Sequence, residues 1–312
     1  MIRAAFSTLL LLVAAAAPQE PKTSVGLTPL TELAGTYKGE TGGLYGGGRN
    51  QPPPALQARA GKAAAAVVPL DPEGKPVAGG KVVLLSIGMS NTTQEFSVFK
   101  KMADADPQKS RCLVVVDGAQ GGRDSAAWVT ESVNQERVWR VADERIAAAG
   151  AALPQVQVVW IKQALIRQGQ HGEFPAHARK LEADLARTLE LAAKRYPNLR
   201  LAYLSSRIYA GYATTPLNPE PYAYEGAFSV RWLIERQMHG ESKSPVALWG
   251  PYLWADGTKP RKDGLTWERD DLSPADGTHP SPAGREKVAR LLLDFFKREP
   301  TARSWFLEVP GR

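Results

Sequence analysis

The chain is constrained most by a pattern that begins at Lys81, where short apolar runs alternate with long amphipathic stretches. The runs are rich in β-branched residues and have the length of strands that are buried on both faces, as in a parallel sheet. The alternation of strand and helix predicts a three-layer α/β domain with right-handed crossovers. The predicted strands lie at 82–87, 113–116, 156–161, 199–204 and 246–249, and the predicted helices at about 125–149, 178–195, 227–239 and 282–298.

Composition excludes several other classes of protein. Of the 312 residues, 43% are hydrophobic and 23% are charged, which is typical of a globular protein and excludes wholesale disorder. The single cysteine, Cys112, excludes an intramolecular disulfide and a cysteine zinc cluster. The net charge of +7 is spread along the chain among acidic residues, so it favours solubility, and no nucleic-acid-binding motif accompanies it.

The first 80 residues differ from the rest in composition. Residues 1–17 have the charged start, short apolar run and small residues of a signal peptide, and the run is too short to span a membrane. Residues 18–80 are rich in Gly and Pro and form an N-terminal arm. Two interpretations stay open for it: a flexible linker, or an irregular arm that packs on the domain through Tyr37, Leu44 and Tyr45. The folded domain is then 81–312.

A candidate nucleophile follows the first predicted strand. Ser90 lies directly after this strand and before a predicted helix, whose N-terminal amides favour negative charge. The alternative role for Ser90 is that of a helix N-cap. The segment lacks the Gly-x-Ser-x-Gly elbow because Thr92 replaces the second glycine, which counts against an α/β-hydrolase.

A candidate base lies near the other end of the chain. Asp276 precedes His279 by three residues, across the glycine turn at Gly277 and just before a helix that begins with Ser281 as N-cap and Pro282. An aspartate so placed can accept the imidazole N–H and hold the tautomer that takes a proton from serine. The alternative is a loop histidine that hydrogen-bonds nearby backbone.

Taken together, the two segments resemble the SGNH, or GDSL-like, hydrolase superfamily. Gly88-Met89-Ser90-Asn91 is similar to its first block, although it departs from Gly-Asp-Ser-Leu and looks more like the Gly-Gln-Ser-Asn of the acetylxylan and sialate O-acetylesterase branch. The Asp276-to-Pro280 stretch with Gly284 is similar to its last block. The resemblance covers about 81–298. It implies a flavodoxin-like fold with a five-stranded parallel sheet, a Ser90 nucleophile, a His279 base and a supporting Asp276.

The resemblance also implies an oxyanion hole, a set of donors aimed at the charge that develops on the substrate oxygen. The Ser90 backbone N–H is the first donor. Gly122, with Gly121 as the alternative, follows the second predicted strand and is expected to supply another N–H. Gln163, with Lys162 as the alternative, follows the third strand and is the expected side-chain donor.

Four further residues follow the fourth and fifth predicted strands and are candidates for substrate binding. Because the carboxyl ends of parallel strands share one sheet edge, aromatic and Arg side chains there are suited to stacking on sugars and holding hydroxyls or a carboxylate. The alternative is that the aromatic rings only pack the loops. These residues are Arg207, Tyr209, Tyr252 and Trp254.

The expected function is that of an exported, periplasmic or extracellular serine esterase of the SGNH type, acting on acyl groups, acetyl foremost, carried by a carbohydrate. No metal or organic cofactor is implied, and the expected partner is a small ester. The alternative is a non-catalytic carbohydrate- or envelope-binding protein on the same fold. Substrate class rests on family resemblance alone.

Overall fold

The computed structural model describes residues 23–240 and 245–308. The predicted signal peptide, 1–17, lies outside the described residues, so export stays a prediction. Within the described ranges, no helix combines the length and the apolar character needed to cross a membrane.

A five-stranded sheet forms the centre of the domain, and every neighbouring pair of strands is parallel. Its order, β2-β1-β3-β4-β5, is the flavodoxin-like doubly wound arrangement. The strands are β1 (Val82–Gly88), β2 (Leu113–Asp117), β3 (Val156–Lys162), β4 (Leu201–Ser205) and β5 (Val246–Trp249).

Helices cover both faces of the sheet, which confirms the predicted three-layer α/β fold. The helix that begins at Ser90 packs beside the helix that begins at Pro282 on one face of the sheet. The helices between these two in the chain cover the other face. The helices are α1 (Pro54–Ala65), α2 (Ser90–Ala105), α3 (Ser125–Val129), α4 (Val133–Ala148), α5 (Ala176–Arg195), α6 (Tyr222–Met238), α7 (Pro282–Arg298) and α8 (Pro300–Phe306).

Burial explains why the central strands read as continuous apolar runs. Every residue of β1, β3, β4 and β5 is buried, because helices pack on both of their faces. Aromatic contacts join the sheet to the helix α2: the rings of Phe96 and Trp160 stack with their centroids 5.4 Å apart. The core therefore holds the start of α2 rigidly against the carboxyl end of β1.

Two of the predicted helices differ from those observed. The helix predicted at about 125–149 is divided, because Thr130 is extended and Ser132 begins α4 by accepting a hydrogen bond from the Gln135 N–H at 3.2 Å. The helix predicted at 227–239 begins earlier, at Tyr222, where the carboxylate of Glu220 accepts the Tyr224 N–H at 3.0 Å. At both boundaries a side-chain oxygen accepts a backbone N–H of the first turn, and in α4 that side chain belongs to the N-cap residue itself.

The described part of the arm, residues 23–80, packs on the domain. Leu30 is fully buried, and its N–H donates to Tyr252 Oη at 3.1 Å. Leu44 and Tyr45 are buried and Tyr37 is half-buried. The arm also contains helix α1 and a short hairpin, Thr36–Tyr37 with Glu40–Thr41, where the sequence indicated no regular structure.

The packed arm predicts that Leu30→Ala destabilises the whole protein. Removing a fully buried leucine side chain should lower the free energy of unfolding by about 2–5 kcal/mol. Urea denaturation measures this change, with Val133→Ala, at a position 82% exposed, as the control. Equal stability of the Leu30→Ala variant and the wild type would show that the arm is the flexible linker.

Candidate active site

Ser90 is positioned by a close junction between β1 and α2. Gly88 ends the strand, and a Cβ atom there would lie 2.4 Å from Thr92 Oγ1 and 2.5 Å from the Lys162 carbonyl oxygen, so only glycine fits. Thr92 Oγ1 donates to that same carbonyl at 2.7 Å and accepts the Met89 N–H at 3.3 Å. Ser90 is the first residue of α2, so its own N–H has no acceptor within the helix.

The loop that carries His279 is held by its own aspartate. One oxygen of Asp276 accepts the backbone N–H groups of Thr278 at 2.9 Å and His279 at 3.0 Å, and the other contacts His279 Nδ1. Gly277 is in the left-handed region, with φ +60°, and a Cβ atom there would clash with the Tyr212 carbonyl oxygen. This turn fixes the imidazole over the aspartate.

Two side chains from other segments hold the same loop from the opposite side. Asn91 Nδ2 donates to the Thr278 carbonyl oxygen at 2.9 Å, and Arg207 Nη2 donates to it at 3.2 Å. After the loop, Ser281 Oγ accepts the Gly284 N–H at 3.3 Å and begins α7. The peptide that precedes His279 is thus fixed to both α2 and the end of β4.

The structure brings Ser90, His279 and Asp276 into one hydrogen-bonded chain. Ser90 Oγ lies 2.8 Å from His279 Nε2. When the imidazole proton on Nδ1 is donated to Asp276, Nε2 is left as an acceptor for the serine hydroxyl. This arrangement is the one that general-base activation of a serine requires.

The carboxyl of Asp276 is suited to remain charged beside the histidine. Partial burial alone would raise its pKa, but the hydrogen bonds from the His279 ring and from two backbone N–H groups outweigh burial. The pKa of Asp276 therefore lies below its ordinary value. An ionised Asp276 favours the orientation of the ring that presents Nε2 to Ser90.

A cleft of about 240 Å³ opens over the serine and the histidine. Among the described residues, none from the arm lines it. The residues that line it are Met89, Ser90, Asn91, Gly122, Arg123, Asp124, Leu165, Ile166, Arg207, Leu217, Asn218, Thr278 and His279.

Of the two glycines considered for the oxyanion hole, Gly122 lines this cleft and Gly121 does not. Gly122 has φ +69°, a conformation that favours glycine. Ser90, at the start of α2, lines the same cleft. The structure therefore places both expected backbone residues around one space.

The expected side-chain donors do not line the cleft. Gln163 follows β3 at the sheet edge and is 3% exposed, and neither polar atom of its amide has a hydrogen-bond partner within the described part of the chain. Lys162 is fully buried, and its Nζ is paired with Glu95, at 2.5 Å from Oε1. The pairing with Glu95 leaves Lys162 unavailable as a donor in this structure, and Gln163 as the side-chain donor stays a prediction.

Three of the four expected substrate-binding residues also lie away from the cleft. Tyr209, Tyr252 and Trp254 are each at most 5% exposed, because they pack in the core under the loops. The Trp254 Nε1–H donates to Glu220 at 2.7 Å, and the ring centroids of Tyr209 and Trp254 are 6.1 Å apart. Only Arg207 lines the cleft as expected.

Sequence reasoning missed several residues of the cleft. Asn218 comes from a Pro-rich loop with no periodicity, and its Nδ2 donates to the Leu165 carbonyl oxygen at 3.3 Å. Arg123 and Asp124 follow Gly122 directly, so their position next to the paired glycines was the signal that could have identified them. Leu165, Ile166 and Leu217, which also line the cleft, gave no comparable signal.

Comparison with known proteins does not identify a family. No protein-family profile and no curated protein matches the chain. Among solved structures, it is similar to a Bacillus subtilis protein, at 10% identity over 72% of this chain and 58% of that one, with a TM-score of 0.38. It is also similar to a Bacteroides fragilis protein provisionally described as an acylhydrolase, at 14% identity over 78% and 96% of the two chains, with a TM-score of 0.37.

A third similar structure is a salicylyl-acyltransferase from a tetracycline biosynthetic pathway, at 13% identity. The match covers 73% of this chain and 58% of the acyltransferase, with a TM-score of 0.37. Because every one of these TM-scores is below 0.5, the fold rests on the strand order and the site rests on its own geometry.

The buried pair of Lys162 and Glu95 predicts a strong effect of removing one partner. Burial raises the pKa of Glu95 and lowers that of Lys162 to about 8, so each charge depends on the other. Lys162→Met should lower the free energy of unfolding by about 3–5 kcal/mol because it leaves Glu95 buried without its ion-pair partner. The double variant with Glu95→Met should be more stable than the single one in urea denaturation. A single variant that is as stable as the double would contradict this.

The depressed pKa of Asp276 predicts a pH-dependent contribution to stability. The ionised form is favoured in the folded state, so its contribution is present above the ordinary aspartate pKa of about 4 and is lost as the pH falls below it. The wild type should therefore be more stable than Asp276→Asn at pH 7, and the difference should shrink by pH 3. Thermal denaturation of both proteins at the two pH values measures it, and a difference that grows at low pH would reverse the sign.

Proposed function

We propose that the protein is an exported serine esterase that removes acyl groups, acetyl foremost, from a carbohydrate. One observation carries the proposal of esterase activity: Ser90 Oγ lies 2.8 Å from His279 Nε2, while Asp276 engages the other ring nitrogen. The signal-like residues 1–17 support export, and the SGNH resemblance supports the sugar ester as substrate.

In the proposed reaction, Ser90 Oγ attacks the acyl carbon while its proton passes to His279 Nε2. The negative charge that develops on the carbonyl oxygen is stabilised by the backbone N–H groups of Ser90 and Gly122. His279 then protonates the departing alcohol as the ester bond breaks. Water attacks the resulting acyl-serine by the reverse sequence and releases the carboxylic acid.

Both oxyanion donors in this scheme, the N–H groups of Ser90 and Gly122, belong to the backbone, so replacing a side chain does not remove them. Gln163 stays a predicted third donor, supported only by the resemblance, because its amide is buried outside the cleft lining. The choice of a short acyl group, acetyl foremost, is likewise supported only by the resemblance.

Ser90→Ala should abolish hydrolysis of p-nitrophenyl acetate. Loss of the nucleophile should lower kcat/KM by roughly 10³-fold or more, because no acyl-enzyme can form. The fold should be unchanged, since the only side-chain hydrogen bond of Ser90 within the described residues is the one with His279. Ser97→Ala, on the same helix and away from the cleft, is the matched control.

Two outcomes of this experiment bear on the proposal. Full activity of the control with loss of activity in Ser90→Ala supports the assignment. Equal turnover by Ser90→Ala and the wild type would refute it, and absence of turnover in the wild type on any acyl ester would favour the non-catalytic binding protein.

A further inference from the structure

Arg207 is a buried cation at the wall of the proposed catalytic cleft. It follows the end of β4 by two residues, is 2% exposed and lines the cleft with Ser90 and His279. Its Nη2 donates to the Thr278 carbonyl oxygen at 3.2 Å. Its Nε is buried and has no hydrogen-bond partner among the residues the structure describes.

Three carboxyl groups near Arg207 stabilise its charged form: those of Glu95, Glu220 and Asp276. None of the three forms an ion pair with Arg207 in the described part of the chain. Glu95 is paired with Lys162, and Asp276 is engaged by His279.

The third carboxyl, Glu220, is occupied by other donors. It accepts hydrogen bonds from the Ala210 N–H at 2.9 Å and from the Trp254 Nε1–H at 2.7 Å, and burial raises its pKa to about 7. Among the described residues, the hydrogen-bond acceptor of Arg207 is the neutral carbonyl oxygen of Thr278. The three carboxyl groups compensate its charge only from a distance, so an anionic ligand in direct contact would stabilise the buried guanidinium further.

A second cation borders the same space. Arg123, which follows Gly122, lines the cleft and forms no ion pair within residues 23–240 and 245–308. Asp124 is the only carboxylate among the described residues of the cleft lining, and its oxygens accept the backbone N–H groups of Ala127 and Ile166, both at 3.4 Å. The charge that faces the cleft is thus predominantly positive.

Holding the His279 loop does not account for the charge of Arg207. The Thr278 carbonyl oxygen already accepts the Asn91 side chain at 2.9 Å, which is the shorter of its two bonds. A neutral donor would serve that purpose equally. The planar guanidinium is instead matched to a carboxylate, which it can bind through two parallel hydrogen bonds.

We propose that Arg207 binds a carboxylate carried by the alcohol part of the ester, an inference that rests on the proposed esterase activity. The acetyl group itself has no ionisable atom, so the anion belongs to the part of the substrate that leaves. The substrate class is thus an acetyl ester of a carboxylate-bearing alcohol. The cation lies in the wall of the cleft that contains Ser90, so it selects among esters that the same serine attacks.

The test compares two acetyl esters of the same size. The probes are 4-acetoxybenzoate, which carries the carboxylate, and 4-acetoxybenzamide, which is neutral, together with their 2- and 3-substituted isomers. Each kcat/KM is divided by the rate of hydroxide hydrolysis of the same ester to remove differences in the leaving group. The wild type should favour at least one benzoate isomer over its benzamide by about 10-fold to 100-fold.

Arg207→Gln should bring the benzoate-to-benzamide ratio of kcat/KM to about 1, whatever the loss of its hydrogen bond to the Thr278 carbonyl does to turnover of the neutral ester. The change should appear chiefly in KM for the benzoate, because the lost contact is with a part of the substrate that does not react. Arg140→Gln is the matched control, since Arg140 is exposed on α4 beside Glu144 and does not line the cleft. It should keep the wild-type ratio.

A measurement on the wild type alone keeps the inference testable if Arg207→Gln does not fold. With p-nitrophenyl acetate as substrate, the hydroxybenzoate that corresponds to the preferred isomer should inhibit competitively at a concentration about 10-fold lower than the matching hydroxybenzamide.

Three results would overturn the inference. The wild type could show no preference for any benzoate isomer while hydrolysing the neutral esters, which leaves the esterase proposal intact. Arg207→Gln could lower kcat/KM for both esters equally, which would make Arg207 a positioning residue for the His279 loop. Hydrolysis of neither ester, nor of p-nitrophenyl acetate, would overturn the esterase proposal and this inference with it.

Discussion

The account of this molecule depends on one hydrogen bond, between the Ser90 hydroxyl and the His279 imidazole, whose residues are 189 positions apart in the chain. Local structure alone does not bring these two side chains together. The serine is fixed by the β1–α2 junction, where Gly88 allows a close approach to β3. The histidine is fixed by Asp276 and by the two donors on the Thr278 carbonyl. The parallel sheet brings the two segments to the same edge.

The sequence predicted what periodicity and short motifs encode. The buried strands are continuous apolar runs, so their positions were recognisable to within a few residues, and the capping residues Ser281 and Pro282 marked the start of α7. The three-residue spacing of Asp276 and His279 predicted a contact between the two side chains, because a glycine turn allows the carboxylate to reach the ring. In the structure, Asp276 contacts the His279 ring and Ser90 Oγ lies 2.8 Å from His279 Nε2, and the catalytic roles of the three residues stay predictions.

Other features depend on packing that a linear pattern does not show. Helix α1 buries only Leu56, Ala60 and Ala64, so its periodicity is faint in a stretch rich in alanine. The ion pair of Lys162 with Glu95 joins β3 to α2 and has no signal in spacing. The aromatic residues after β4 and β5 were placed at the right sheet edge, but their size favoured burial beneath the loops over exposure in the cleft.

The central claim is that His279 activates Ser90, and reaction with a fluorophosphonate probe tests it directly. The account predicts one covalent adduct by intact mass, located on Ser90 by peptide mapping, which is absent or formed far more slowly in a folded His279→Ala variant. An adduct on another residue, or equal labelling rates in the variant and the wild type, would contradict it.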